Sequence, residues 1–388
     1  MIATSLPARR ELSLPLRILM SAIEEINIPS SRYEAAAQHY NAVGEFLNAK
    51  ESLLHGFSPA IYPQGSIALG TAIKPLQGED FDVDLACQLT YQANYDPMIV
   101  RRLVAQRLKE NADYKRMLNE EKSRCLRLDY SNDESFHLDI IAARFAPETS
   151  PTGTALLVPD RNIRNWTPSD PKGYIAWFEE QKKIHVIEKG LMRLANMEPI
   201  PDQRELPQKA PLQVCIQLLK RNRDLMFKDK PNLAPISIII TTLAARVYNH
   251  EPEVADALIG IVQNLHNGFD ATEPFYRVEN PTNGGENFAD KWQTHPEQKD
   301  AFFAWLRNLR TDVVTLSNSS DFQKSSVLLE HMVGRTSRDA AIRRHASDLN
   351  ESLAKGSLYA GVGTMTISAI PSEGAMRIVQ HTNFGGSA

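Results

Sequence analysis

The sequence is poor in cysteine, with only Cys87, Cys125 and Cys215 in 388 residues. Their odd number and wide spacing give neither a disulfide framework nor a thiolate metal motif, so reduced core thiols in a cytoplasmic protein are expected. Long apolar runs are missing too. No uncharged stretch approaches the about 18 residues of a membrane span, and the first residues show no signal-peptide pattern, so no membrane partner is expected. Positive charge is not in excess: 43 Lys and Arg stand against 47 Asp and Glu, a net charge of −4. That excludes a global basic field for long nucleic acids but leaves room for a local groove that takes a small anion. No internal repeat is found. What is present, 42% hydrophobic and 23% charged residues, fits a globular chain large enough for two lobes.

Against this plain background the stretch from Tyr62 to Leu89 stands out. It begins with a Gly65-Ser66 turn and ends in a strand pattern that carries Asp82 and Asp84. Side chains alternate along a strand, so the two carboxylates share one face while Phe81, Val83 and Leu85 share the other. Adjacent carboxylates repel, and a divalent cation offsets the repulsion; Mg²⁺ or Mn²⁺ takes oxygen ligands of this kind. Phe136 to Ala142 reads as a second strand, with Phe136, Leu138 and Ile140 on one face and Asp139 on the opposite one with His137 and Ile141. Arg124 to Tyr130 alternates likewise, and Ser131 to Glu134 reads as the hairpin turn between them. If this hairpin lies beside the first strand, three carboxylates converge, enough for two metal ions about 3.5–4 Å apart in an in-line phosphoryl displacement. Gly65 lets the backbone approach a phosphate, and Ser66 adds a hydroxyl and an N–H group.

Gly65-Ser66, Asp82-Val83-Asp84 and Asp139 resemble the polymerase-beta-like nucleotidyltransferases, and the fuller run from Gln64 to Leu85 resembles the bacterial cGAS/DncV-like members (CD-NTases). The interval from Ser66 to Asp82 is longer than in many of these relatives, with Lys74 to Asp80 as an extra loop. The resemblance implies an α+β, two-lobed fold with a mixed-sheet catalytic core over residues 1–200, a helical lobe over 201–370 and a flexible tail over 371–388. It implies a metal-dependent enzyme that makes a cyclic oligonucleotide from NTPs, ATP among them, in anti-phage defence. Asp82, Asp84 and Asp139 would be catalytic metal ligands, and Gly65, Ser66, Lys220 and Ser237 would bind substrate. For Lys220 and Ser237 a solvated edge lysine and a plain helix-start hydroxyl are the competing readings. A linear oligonucleotide synthase, an enzyme modifying RNA or protein, and an inactive nucleotide sensor are the competing functions. The family also implies a downstream cyclic-nucleotide-sensing effector. In some defence operons of the family a ubiquitin-transfer-like (E1/E2) partner conjugates the enzyme's C-terminus, here Ala388; plain disorder of the Gly385-Gly386-Ser387-Ala388 end is the alternative.

The rest of the chain reads as scaffold. Helical spacing runs from Leu16 to Ile26 and again, after Pro29, to about Leu54; in the family a long N-terminal helix braces both lobes. Asp96-Pro97 opens a helix through Lys109. Residues 147–173, with five prolines, read as a long loop in which Trp166 either packs or stacks on a base. Pro199 to Pro211 reads as a hinge. Helices are expected over Leu212–Met226 and from Pro235 onward, with Arg221 and Arg223 as surface charges. Asn280 to Trp292 resembles a segment of these enzymes and of oligoadenylate synthases, where turn residues lead into a helix through Leu309, anchored by Phe288 and Trp292. A direct substrate contact by Asn287 is the lesser reading.

Overall fold

The computed structural model describes residues 12–77, 79–91, 95–130, 136–182, 209–271, 275–319, 321–357, 359–360, 367–368 and 376–378. The expected hinge over Pro199–Pro211 lies mostly outside these residues, as do the hairpin turn at 131–135 and the Ala388 terminus. The chain divides into two compact units, Ile26–Thr315 and Met1–Glu25 together with Leu316–Ala388.

The larger unit is built on a mixed seven-stranded sheet. Its strands are β1 (Ala60–Gln64), β2 (Phe81–Leu89), β3 (Leu118–Asn119), β4 (Leu126–Asp129), β5 (Phe136–Phe145), β6 (Leu156–Asp160) and β7 (Asn165–Ser169). The order is β1-β2-β5-β4-β3, and β6 joins β5 and carries β7 at its outer side. Only β2 and β5 pair in parallel. That parallel pair sits at the centre, and its apolar positions explain why: Val83, Leu85, Leu138 and Ile140 are all fully buried. Each such side chain contributes roughly 1.5–3 kcal/mol by leaving water.

Two helices close this apolar face, α3 (Ser30–Asn48) and α5 (Pro97–Lys109). Tyr40, Val43 and Leu47 of α3 and Val100, Val104 and Leu108 of α5 recur at helical spacing and are buried there. The start of α5 is as the sequence predicts. Asp96 Oδ1 accepts from the Met98 N–H at 2.8 Å, and Pro97 fills the first helical position. The first helical stretch is divided into α1 (Leu14–Ser21) and α2 (Ile23–Ile26), and α3 stops at Asn48, short of Leu54. Between Gln64 and Leu69 lies one short turn of helix, α4 (Gly65–Ala68), and after α5 comes α6 (Ala112–Met117).

Residues 147–173 are not one long loop. They contain the β6–β7 hairpin and the start of α7 (Pro171–Lys182). The prolines misled because β7 is an edge strand, and Pro159 lies past the residues of β6 that pair with β5; neither site needs an N–H for the ladder. Trp166 is partly buried against the sheet's apolar core, which is packing rather than base stacking.

Beyond the sheet come α8 (Pro211–Phe227), α9 (Ser237–Val247) and α10 (Val254–Asn264). The block from Asn280 is a small ribbon of β8 (Glu279–Asn280) and β9 (Asn283–Asn287), followed by a 3₁₀ turn at Asp290–Gln293 before α11 (Pro296–Asn318). Asn287 Oδ1 accepts from the N–H groups of Val278 and Ala289 at 3.0 and 3.1 Å, so its role is to hold the ribbon. Trp292 is buried against Phe269 and Phe302, as an anchor should be.

In the smaller unit α1 packs with α12 (Phe322–Val333) and α13 (Arg335–Ala354). Arg344 of α13 pairs with Glu24 and Glu25. A three-stranded ribbon, β10 (Tyr359–Ala360), β11 (Ile367–Ser368) and β12 (Met376–Arg377), follows α13. Among the described residues no helix is long and apolar enough to cross a membrane.

Candidate active site

The sheet face opposite the apolar core carries the polar residues. In the parallel ladder Asp84 pairs with Asp139 and Asp82 with His137, so the three carboxylates predicted to meet stand on adjacent strands, about 4.8 Å apart. Asp139 is buried, whereas the side chain of Asp82 is 53% exposed.

β1 pairs with β2 up to Gln64 opposite Asp84, so the chain turns into α4 directly beside that carboxylate. Gly65 takes φ +61°, and a Cβ there would lie 2.2 Å from Asp84 Oδ2. Only glycine fits both the backbone conformation and the approach. Gly65, Ser66, Asp82 and Asp84 line a cavity of about 480 Å³. Lys220 of α8 and Ser237, the first residue of α9, line the same cavity. The sequence-predicted residues are therefore brought together, Asp139 from the neighbouring strand.

Lys220 is not a solvated edge lysine. It is buried, and its Nζ donates to the backbone oxygen and to Oγ1 of Thr71, at 3.1 and 3.2 Å. Burial, and then the positive charge of Arg223, push its ammonium down to about 7. Arg221 and Arg223 are not surface charges either. Arg221 is 5% exposed and donates to the Lys74 carbonyl of the long loop after α4. Arg223 lines the cavity and donates to the Pro235 carbonyl at 2.6 Å and to Ser237 Oγ at 3.1 Å. Both arginines follow Lys220 on α8, and the loop from Thr71 to Lys74 covers a helix face that would otherwise meet water. Nothing in the local sequence marks that coverage.

Arg127 of β4 is the residue the sequence reading missed. Its Nε and Nη2 donate to Oδ1 and Oδ2 of Asp139, both at 2.7 Å, and Nη2 also reaches Asp82 Oδ1 at 2.8 Å. The signal was available: Arg127 alternates with Leu126 and Leu128, and the hairpin register sets it opposite Asp139. Asp84 has no such partner. Burial first, and then the charges of Asp82 and Asp139, push its carboxyl up to about 8. Among the described residues no three His, Cys, Asp or Glu side chains form a ready-made metal cage, and both oxygens of Asp139 are taken up by Arg127. The donor set itself suits a hard divalent ion: every group is a carboxylate oxygen, and a cation at Asp84 would reverse the suppression of its charge.

The mixed sheet with this cavity at its polar face has the polymerase-beta-like nucleotidyltransferase fold. The structure of the CD-NTase CdnG of Bradyrhizobium diazoefficiens in complex with GTP superposes with a TM-score of 0.64 at 19% identity, covering 86% of this chain and 99% of that one. Residues 17–182 match the Second Messenger Oligonucleotide or Dinucleotide Synthetase domain. Over nearly its whole length the chain is 29% identical to a c-di-GMP synthase of Roseivirga ehrenbergii, covering 95% of this chain and 96% of that protein. The cyclic dinucleotide synthase CdnG of Bradyrhizobium diazoefficiens is 22% identical, with 95% and 94% covered. Over these comparisons the chain is similar to the cGAS/DncV-like nucleotidyltransferases and shares their fold.

Proposed function

We propose that this protein joins nucleoside triphosphates into a cyclic dinucleotide, with Asp82, Asp84 and Asp139 as its catalytic carboxylates. The observation that carries the reading is the parallel register of Asp84 and Asp139 beside the cavity lined by Gly65, Ser66, Lys220 and Ser237. The full-length similarity to a c-di-GMP synthase supports GTP ahead of ATP as the substrate.

In this mechanism a ribose hydroxyl attacks the α-phosphorus of a triphosphate and pyrophosphate leaves; a second transfer closes the ring. Asp82, Asp84 and Asp139 would hold Mg²⁺ or Mn²⁺, which when bound neutralises phosphate charge and acidifies the acceptor hydroxyl. The protein's own groups do the rest. Gly65 admits the triphosphate close to the backbone, Ser66 and Ser237 donate hydroxyl hydrogens to it, and Lys220 supplies a cation. Asp139 receives the hydroxyl proton. Catalysis then rests on alignment and charge stabilisation in a partly enclosed site.

Incubation with four labelled NTPs and Mn²⁺, followed by phosphatase and mass analysis, tests this. A ring resists phosphatase because it has no terminal phosphate. A linear product would point to an oligonucleotide synthase, and a labelled protein or RNA to a modifying enzyme. The variant D82N/D84N is expected to lose product by more than about a thousandfold, since the metal contribution amounts to several kcal/mol. Unchanged product formation by that variant would overturn the assignment. A role in anti-phage defence, a cyclic-nucleotide-sensing effector and conjugation at Ala388 belong to the same proposal. The last predicts adducts on co-expression with an E1/E2-like partner.

A further inference from the structure

Arg127 is the one guanidinium that touches the carboxylate cluster among the described residues, and it does so with three short hydrogen bonds. Its fork takes both oxygens of Asp139 and one of Asp82, while Asp84, in register beside Asp139, is left with neither hydrogen bond nor ion pair among the described residues. The Arg127 and Asp139 side chains are 14% and 13% exposed, so solvent screens this pair little. A bidentate guanidinium–carboxylate pair of this kind is strong and directional. Three carboxylates on neighbouring strands need a counter-charge if the sheet is to hold them together, and one guanidinium cannot neutralise all three.

We propose that Arg127 is a placeholder cation: it holds Asp139 and Asp82 in position in the nucleotide-free protein and competes with a divalent ion for the same oxygens. This rests on the assignment of the three carboxylates as metal ligands. An ion on Asp139 has to share or displace the oxygens that Nε and Nη2 already hold, and two cations at that distance repel, so the two compete. Asp84 is then the open ligand in the resting site, and Asp139 becomes available only when Arg127 lets go. Arg127 is a positioning residue, and it makes the resting protein bind metal weakly. A guanidinium that only braced the sheet would act in the opposite sense, since its loss would let the carboxylates splay and weaken metal binding.

The test counts free Mn²⁺ by electron paramagnetic resonance as the ion is added to nucleotide-free, full-length protein, so no turnover enters the measurement. R127Q is expected to bind Mn²⁺ at least about fivefold more tightly than the wild type, and R127Q/D139N is expected to lose that gain. Circular dichroism shows whether the fold is kept. Should R127Q not fold, R127K keeps the charge without the fork and is expected to bind Mn²⁺ more tightly than the wild type by a smaller factor. Equal or weaker Mn²⁺ binding in the folded variant overturns the proposal. D84N separates this from the proposed function. If D84N leaves Mn²⁺ binding unchanged, the carboxylates are not the metal site and both readings fall. If D84N loses Mn²⁺ while R127Q gains none, only the placeholder role falls.

Discussion

Gly65 and Lys220 both line the cavity, and each makes a sharp prediction at the scale of one residue. In G65A the new methyl group would meet Asp84 Oδ2 at 2.2 Å from a backbone held at φ +61°. The variant is expected to lose about 1–2 kcal/mol of stability from the left-handed conformation. It should lose nucleotidyl transfer far more steeply, because Asp84 must move; urea melts and initial rates separate the two effects. Lys220 concerns protons. Its ammonium is pushed down to about 7, so at pH 8 the free protein holds it mostly neutral. A bound triphosphate favours the charged form and raises it again, so Lys220 itself should take up a proton when triphosphate binds at pH 8. Affinity should therefore fall as pH rises above 7. Calorimetry in buffers of different ionisation enthalpy measures the net exchange, and K220M should remove the Lys220 share of it, leaving the proton that Asp84 releases to a cation. Arg127 shows what one residue's sequence context can hide. Its neighbours Leu126 and Leu128 advertise an alternating strand, and only when that strand is set in register with its hairpin partner does Arg127 fall opposite Asp139.

At the scale of elements, local periodicity carried far and then stopped. The strands bearing Asp82, Asp84 and Asp139, the Asp96-Pro97 helix start and α8 were all legible, because alternation and capping are properties of a few consecutive residues. The β6–β7 hairpin was not, since prolines on an edge strand look like loop until the edge is known. The β8–β9 ribbon hid for a related reason: its glycines and asparagines have weak strand propensity, and the pairing, not the residues, makes it a ribbon. The burial of Arg221 depends on a loop from elsewhere in the chain. α7 illustrates how such a segment is secured. Asp170, fully buried before its first turn, accepts from Thr152 Oγ1 at 2.6 Å, Thr154 Oγ1 at 2.7 Å and the Gly173 N–H at 3.0 Å. D170A strips a cap and removes the acceptor shared by the Ser150, Thr152 and Thr154 hydroxyls, for an expected loss of about 1–3 kcal/mol by chemical denaturation. The same variant should loosen α9, because Tyr174 of α7 shares a hydrogen bond of 2.8 Å with Thr242.

For the whole molecule, the carboxylate cluster joins folding to ligand binding. Three acidic groups on one sheet face are a liability in the metal-free protein and become an asset once a divalent ion is present. Mn²⁺ at a hundredfold its dissociation constant should stabilise the protein by about 2.7 kcal/mol, seen as a rise in melting temperature, and D84N should remove that rise. Calcium, larger and looser in its coordination, should stabilise without supporting the transfer. The parallel pairing has a last consequence, for synthesis on the ribosome. The strand that starts at Phe81 has only β1 beside it until the one that starts at Phe136 has been made, with two helices translated between them. A nascent chain that stalls before that point carries Asp82 and Asp84 on an edge strand, with no Asp139 beside them. Truncated translation products that end before Asp139 would therefore be silent in the proposed reaction.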